Sequence, residues 1–260
     1  MKRDKFYLYL KNTIKNRKSD AILMGLYLLF TLSSVVYLLV SGLIFNSFYT
    51  LILSIIPFAI IFVEWLLKIR IPSILILCFL IVSGGAILGT SYEFYNKFLW
   101  FDDFLHTLSG FMFACFGFTI AQLFIGDIST KKNFIGCLFM GFIFSLAVGL
   151  VWELFEYGCA ALVGPDMQED TLISSFNSYF LSGTHKEAIE IDNITHTLIF
   201  YGNNQQLLLD GYLDIGLYDT LNDMLVCFLG AIAYLILFPI SRWKCKSIYK
   251  LLCPRIEKGD

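Results

Sequence analysis

Apolar residues fall in six blocks of about twenty, parted by four short polar breaks and one long one. The blocks cover Ala21–Phe45, Phe48–Leu67, Ile71–Thr90, Phe104–Ile125, Phe134–Cys159 and Tyr218–Ile240. A helix rising ~1.5 Å per residue needs about twenty apolar residues to cross the hydrocarbon core of a bilayer. The pattern therefore predicts an all-α, polytopic membrane protein of about six transmembrane helices, forming a single integral membrane domain over residues 1–260. The long break, Gly164–Leu217, exceeds a plain connection and is expected to carry structure of its own as an insertion. Within it, Thr171–Leu181 reads as a short amphipathic helix on the membrane surface. Thr195–Tyr201 and Gln205–Asp210 flank Gly202-Asn203-Asn204 and read as a β-hairpin, with a loosely ordered loop as the alternative.

Composition agrees with this reading. Hydrophobic residues make up 57% of the chain, charged residues 15%, and mean hydropathy is +0.71, whereas soluble domains carry about 25% charge. No domain linker, internal repeat or low-complexity tract interrupts the pattern. The seven cysteines lie mostly inside apolar blocks and form no CxxC pair, so they read as small core residues rather than as disulfides or thiolate ligands.

Charge orients the chain. Seventeen of the nineteen Lys and Arg residues lie before the first block, at Lys68 and Arg70, at Lys131 and Lys132, or after the sixth block. Only Lys97 and Lys186 occupy the alternate connections. The positive-inside bias then predicts cytoplasmic N- and C-termini and an extracytoplasmic Gly164–Leu217 loop. The first block is too long for a signal-peptide core and lacks a small-residue cleavage site, so it reads as an uncleaved span. The basic ends follow from topology and suit anionic lipid, which argues for the bilayer as partner and against nucleic acid.

The alternate side is acidic, and there the helix ends carry chemistry. Near the end of the fifth block Glu153 and Glu156 are three residues apart and share a helix face. Asp103 and His106, and equally Asp102 and His106, share a face at the start of the fourth block. Asp219 shares one with Asn222 and Asp223 at the start of the sixth. Alternation of the spans brings these groups to one membrane level. Counting from Phe134 puts Glu153 near the outer boundary; if the helix continues to Val163, it sits about 7 Å from the midplane. Asp102, Asp103 and Asp219 also fit as helix N-caps, and His106 as a hydrogen-bonded structural histidine. Glu153 and Glu156 resist such readings, because carboxylates are unfavourable at a helix C-terminus. Glu64 lies four residues before Lys68 and reads as a snorkelling ion pair. His185 and His196 read as surface residues, and Trp65, Trp100, Trp152 and Tyr218 as interfacial anchors.

The segments Asp-Phe-Leu-His-Thr-Leu-Ser-Gly110, Trp152-Glu-Leu-Phe-Glu156 and Tyr218-Asp-Thr-Leu-Asn-Asp-Met224 resemble the YjdF-type family of bacterial inner-membrane proteins, whose function is uncharacterised. More distantly, their order is similar to that of VanZ-like proteins, one of which is linked to glycopeptide-antibiotic resistance. The resemblance covers roughly Trp100–Ile240 and implies a bacterial inner-membrane location and a shared polar site. In the family pattern a short Gly- and Asp-containing segment leads directly into the last motif. Here Pro165-Asp-Met-Gln-Glu-Asp170 is similar, but more than forty residues intervene before Tyr218.

A set of carboxylates and one imidazole on three helices suits a divalent metal such as Mg²⁺, Mn²⁺, Fe²⁺ or Zn²⁺. The expected ligands are Asp103, His106, Glu153, Glu156, Asp219 and Asp223, with Glu153, Glu156 and Asp223 as the catalytic group. Metal-activated water attacking a lipid-linked ester or phosphate at the outer leaflet is the corresponding reaction class. A transporter or proton relay uses the same residue types. A non-catalytic envelope protein, its helices held together by the polar cluster, is the third reading.

Overall fold

The computed structural model describes residues 5–256. The chain forms two compact units, Met1–Glu153 with Asp223–Asp260, and Leu154–Asn222. It leaves the first unit inside one long helix and returns inside another.

The first unit begins with α1 (Phe6–Asn16), α2 (Lys18–Val40), α3 (Ile44–Leu53), α4 (Ile56–Leu67) and the short strand β1 (Ile69–Arg70). Then come α5 (Ser73–Tyr92), α6 (Phe94–Lys97), α7 (Phe101–Ile125) and α8 (Lys131–Leu162). The second unit holds β2 (Thr171–Ile173), β3 (Phe176–Ser178), α9 (Tyr179–Ser182), β4 (Ile189–Ile191), β5 (Thr197–Tyr201), β6 (Gln205–Leu209) and β7 (Tyr212–Asp214). The chain then re-enters the first unit along α10 (Leu217–Lys244) and ends with α11 (Lys246–Leu252) and β8 (Arg255–Ile256).

Among the described residues, six helical stretches are long and apolar enough to cross a membrane: Lys18–Val40, Ile44–Leu67, Ser73–Tyr92, Phe101–Ile125, Lys131–Leu162 and Leu217–Lys244. They match the six expected blocks to within a few residues at most ends. The structure departs from plain all-α by adding paired strands, nearly all of them in the second unit.

The second stretch is not one continuous helix, because α3 and α4 are parted at Ser54-Ile55. Proline supplies no N–H, so Pro57 cannot donate to the Leu53 carbonyl four residues back. The Tyr27 hydroxyl on α2 donates to that carbonyl at 3.0 Å instead. In an apolar surrounding an unmet carbonyl is costly, and Tyr27 removes that cost.

Glu64 does not pair with Lys68 as expected. Its buried carboxylate accepts both Arg17 Nη1 contacts, at 2.8 and 3.0 Å, and the Ile71 N–H at 2.7 Å. Arg17 also donates to the Ile71 carbonyl at 2.7 Å and pairs with Asp20 at 2.5 Å. Lys68 is instead the left-handed C-cap of α4, with φ 51°, and its exposed side chain is carried away from the helix. A planar guanidinium spreads five N–H donors over three nitrogens, so Arg17 reaches Glu64, the Ile71 carbonyl and Asp20 from Nη1, Nη2 and Nε, where an ammonium has three donors on one atom.

Aromatic side chains fill the centre of this unit. Phe118 on α7 packs on Phe238 of α10 with ring centroids 4.8 Å apart, and Tyr234 packs on Phe238 at 5.0 Å. Leu75, Ile76, Met112 and Cys115 are fully buried beside them. Cys137, Cys227 and Cys253 are buried too, and all seven cysteines are free thiols. Amphipathic α1 lays Phe6 edge-on against Phe62 and Trp65, with centroids 5.7 and 5.5 Å away.

In the second unit three antiparallel pairs form: β2 with β7, β3 with β4, and β5 with β6. The expected hairpin is present, with Thr197 opposite Leu209 and Tyr201 opposite Gln205. Gly202 and Asn204 take the positive φ values its turn requires, 53° and 62°. The helix expected over Thr171–Leu181 is not formed. Thr171–Ile173 pairs with Tyr212–Asp214, Phe176–Ser178 pairs with Ile189–Ile191, and only Tyr179–Ser182 is helical. Ser174, Ser175, Asn177 and Ser178 are weak helix formers; Asn177 and Ser178 pair within β3, and the Ser174 carbonyl accepts the Ile194 N–H at 2.8 Å.

Candidate functional site

Three helices of the first unit approach closely through a layer of small residues. Gly110 on α7 is so near α10 that a Cβ there would lie 2.1 Å from the Cys227 carbonyl oxygen. Gly230 on α10 reciprocates: its Cβ would lie 2.1 Å from the Thr107 carbonyl oxygen. On α8, a Cβ at Gly149 would lie 3.1 Å from the Cys227 sulfur. Below this level the Ser145 hydroxyl of α8 donates to the Gly110 carbonyl at 2.6 Å. Only glycine permits such backbone contact.

One helical turn along from each member stands an ionisable residue: His106 from Gly110, Glu153 from Gly149, and Asp223 from Cys227. Residues four apart lie above one another on a helix. The small layer therefore sets the polar layer, because helices in backbone contact bring side chains one turn away to within a few ångströms. His106 Nε2 lies 3.7 Å from Asp223 Oδ2 and 3.7 Å from Asp102 Oδ1. Asp102, His106 and Asp223 each place a ligand atom within 4.8 Å of the others, and Glu153 is within the same distance of Asp223. Glu153 is 5% and Asp223 2% exposed, while Asp102 and His106 are half-buried. Asp223 is thus the member common to both contacts.

Separations of 3.7 Å exceed a direct hydrogen bond. They are also wider than the roughly 3.0–3.4 Å between two ligands on one cation with bonds of about 2.1 Å. Helix α7 carries no Lys or Arg, and those of α8 and α10 lie at the other end, at Lys131, Lys132, Arg242 and Lys244. Lys97, just before α7, pairs with Glu93 at 3.6 Å and donates to the Tyr92 carbonyl.

Of the six residues expected from sequence, His106, Glu153 and Asp223 come together in this unit. Asp102 takes the place given to Asp103: helix α7 starts at Phe101, three residues earlier than expected, and Asp102 is the aspartate at His106 Nε2. Neither aspartate is the N-cap, which is Trp100; both stand in the first turn, where the helix dipole favours a carboxylate. Glu156, also buried, stands one turn beyond Glu153 on α8, and Asp219 one turn before Asp223 on α10; both belong to the second unit. There Asp219 accepts the Glu169 N–H at 3.0 Å. It does not cap α10, since Asp214 accepts the Tyr218 N–H at 2.8 Å. His196 is a surface residue as expected, 3.4 Å from Asp210, and His185 stands against the Tyr179 ring. Sequence reasoning overlooked Gly110, Gly149 and Cys227; their signal was the four-residue offset from each ionisable residue.

The model of one protein family, described as predicted membrane protein (DUF2238), matches residues 21–244. The chain belongs to that family, and the YjdF-type resemblance fits it. Nothing among curated proteins and nothing among solved structures matches the chain.

Proposed function

We propose that this DUF2238 membrane protein uses Asp102, His106, Glu153 and Asp223 to bind a divalent cation at one end of its helix bundle. The arrangement of His106 Nε2 between two carboxylate oxygens, each 3.7 Å away, carries the reading. A neutral imidazole offers a nitrogen lone pair as ligand, and the carboxylates supply the hard oxygens that Mg²⁺, Mn²⁺, Fe²⁺ and Zn²⁺ accept. Close-lying carboxylates in an apolar bundle need a compensating cation or protons. In this reading both termini are cytoplasmic and the cluster faces outward in a bacterial cell membrane, as the distribution of Lys and Arg supports.

A bound cation would supply Lewis acidity toward a lipid-linked ester or phosphate at the outer leaflet. The chain's own part is to hold the ligands on three rigid helices, with Asp102 orienting His106. Glu153, within 4.8 Å of Asp223, takes up a proton in this reading.

Thermal unfolding of detergent-solubilised protein tests the reading. Chelator lowers the melting temperature and one divalent cation restores it, with an increment growing as RT ln(1 + [L]/Kd), about 2.7 kcal/mol at a hundredfold excess over Kd. H106A and E153Q abolish the response. Wild-type protein that ignores chelator and holds no stoichiometric metal overturns the cation and leaves protonated carboxylates as the means of compensation.

A further inference from the structure

A second charged arrangement lies at the other end of the bundle. There β1 pairs antiparallel with β8, Ile69 opposite Ile256 and Arg70 opposite Arg255. Successive side chains of a strand point to opposite faces. Ile69 is fully buried and Ile256 half-buried, so the isoleucine pair faces the core and fixes the register. Both arginines are consequently placed side by side on the opposite face, Arg255 exposed and Arg70 half-buried. Directly opposed residues have Cβ atoms about 4.5–5.5 Å apart, and like charges at that spacing are destabilising. A bridging anion reverses the sign of that interaction.

The local charge balance indicates which anion. Arg17 is engaged by Asp20 and Glu64, and the charge of Arg70 also reaches Glu64. Arg17, Lys68, Arg70 and Arg255 set against Asp20 and Glu64 leave positive charge in excess. A phosphodiester carries one negative charge, and its paired oxygens suit guanidinium forks.

Position indicates the source. Strand β1 lies between the last residue of α4 and the first of α5, both membrane-spanning stretches, which puts Arg70 at headgroup level. Exposed Lys68 precedes it by two residues. The Tyr9 ring of α1 stands 5.9 Å from the Arg70 guanidinium carbon, and α1 exposes Tyr7 and Ile14 beside Lys11 and Lys15. An apolar surface studded with lysines meets both the acyl-chain boundary and the headgroups of a bilayer. We propose that Arg70 and Arg255 jointly bind the phosphodiester of an anionic phospholipid, holding the C-terminal strand β8 against the bundle.

Full-length protein in neutral detergent, titrated with phosphatidylglycerol, phosphatidylcholine or inorganic phosphate, tests this by melting temperature and native mass spectrometry. Phosphatidylglycerol raises the melting temperature and stays bound in the gas phase. R255Q weakens its apparent affinity about tenfold, R70Q/R255Q abolishes the increment, and R255K, which keeps the charge but not the fork, falls between wild type and R255Q. R255Q changes an exposed residue and leaves the isoleucine pair intact, so it reads out even if the double variant is unstable. Three results overturn the proposal: an unchanged increment in R255Q, equal stabilisation by phosphatidylcholine, or the full shift reproduced by inorganic phosphate at equal concentration.

Discussion

Gly110→Ala is the sharpest test of the packing that builds the polar cluster. The added methyl carbon would lie 2.1 Å from the Cys227 carbonyl oxygen, whereas ordinary contact begins at 3.4 Å, so the groups must part by about 1.3 Å. The obstructing atom is backbone in the middle of α10, and no rotamer change can move it. Helices α7 and α10 must therefore separate. Overpacking of this kind costs about 1–3 kcal/mol, and at about 2–4 °C per kcal/mol for a chain of this size the melting temperature falls by roughly 2–12 °C. Separation also lengthens the His106–Asp223 approach, now 3.7 Å, so any cation response weakens along with stability. Gly25→Ala is the control: Gly25 is exposed on α2, and a methyl added there would meet nothing within 4 Å. There alanine gains up to about 1 kcal/mol of helix propensity. If G110A melts like G25A in detergent, the helices are not in backbone contact and the polar layer is not set by the glycine layer.

Arg17→Ala strands the buried carboxylates of Glu64 and Asp20 and is expected to cost roughly 3–5 kcal/mol in chemical unfolding, against almost nothing for Lys68→Ala. Equal effects of the two would show that Glu64 does not depend on Arg17. Tyr27→Phe removes the donor to the Leu53 carbonyl and should cost about 1–3 kcal/mol, a loss that disappears if Pro57→Ala is introduced first and restores the N–H. With single cysteines on a cysteine-free background, Ser182→Cys should react with impermeant thiol reagent in intact cells and Ser129→Cys should not; the reverse pattern refutes the proposed orientation.

The spans were legible because the bilayer imposes one length on every crossing helix, so a count of apolar residues finds them. The break at Ser54-Ile55 was written in Pro57, but its repair by Tyr27 joins residues 26 apart in the chain. The partner of Glu64 was misread for the same reason: Lys68 is one turn away in sequence, while Arg17 is 47 residues away and better matched in geometry. At the polar cluster the residue types and the three helices were legible, and the choice between Asp102 and Asp103 was not. Both share a face with His106, and the sequence does not say which of the i,i+3 and i,i+4 partners stands at its Nε2. Thr171–Ser178 failed because its strand partners come from Ile189–Ile191 and Tyr212–Asp214, beyond the reach of any local pattern.

The two ends of the bundle resolve buried charge in different ways. Where α4 ends and α5 begins, carboxylates and guanidinium are both built into the chain: Arg17 commits its fork to Glu64, Asp20 and the Ile71 carbonyl, and the Ile71 N–H completes the set. Such a network spends the Arg17 guanidinium on partners within the chain. Helix α5 then crosses to the level where α7 begins. There Asp102, His106, Glu153 and Asp223 gather on helices whose Lys and Arg residues are all at the opposite end. Substituting arginine for one of these carboxylates would have been the simplest way to neutralise the cluster, as the first end demonstrates. A structural network can do without a guanidinium by holding protons, which spares the cost of burying another charge, and a site that exchanges a cation or protons does without it because a fixed guanidinium would hold the carboxylates permanently. Installing the missing charge distinguishes the two cases. Asp102→Arg, at the half-buried rim, should leave stability unchanged or raise it and should abolish any response to cation or chelator. A cluster that is only structural would show the first effect and have no response to lose.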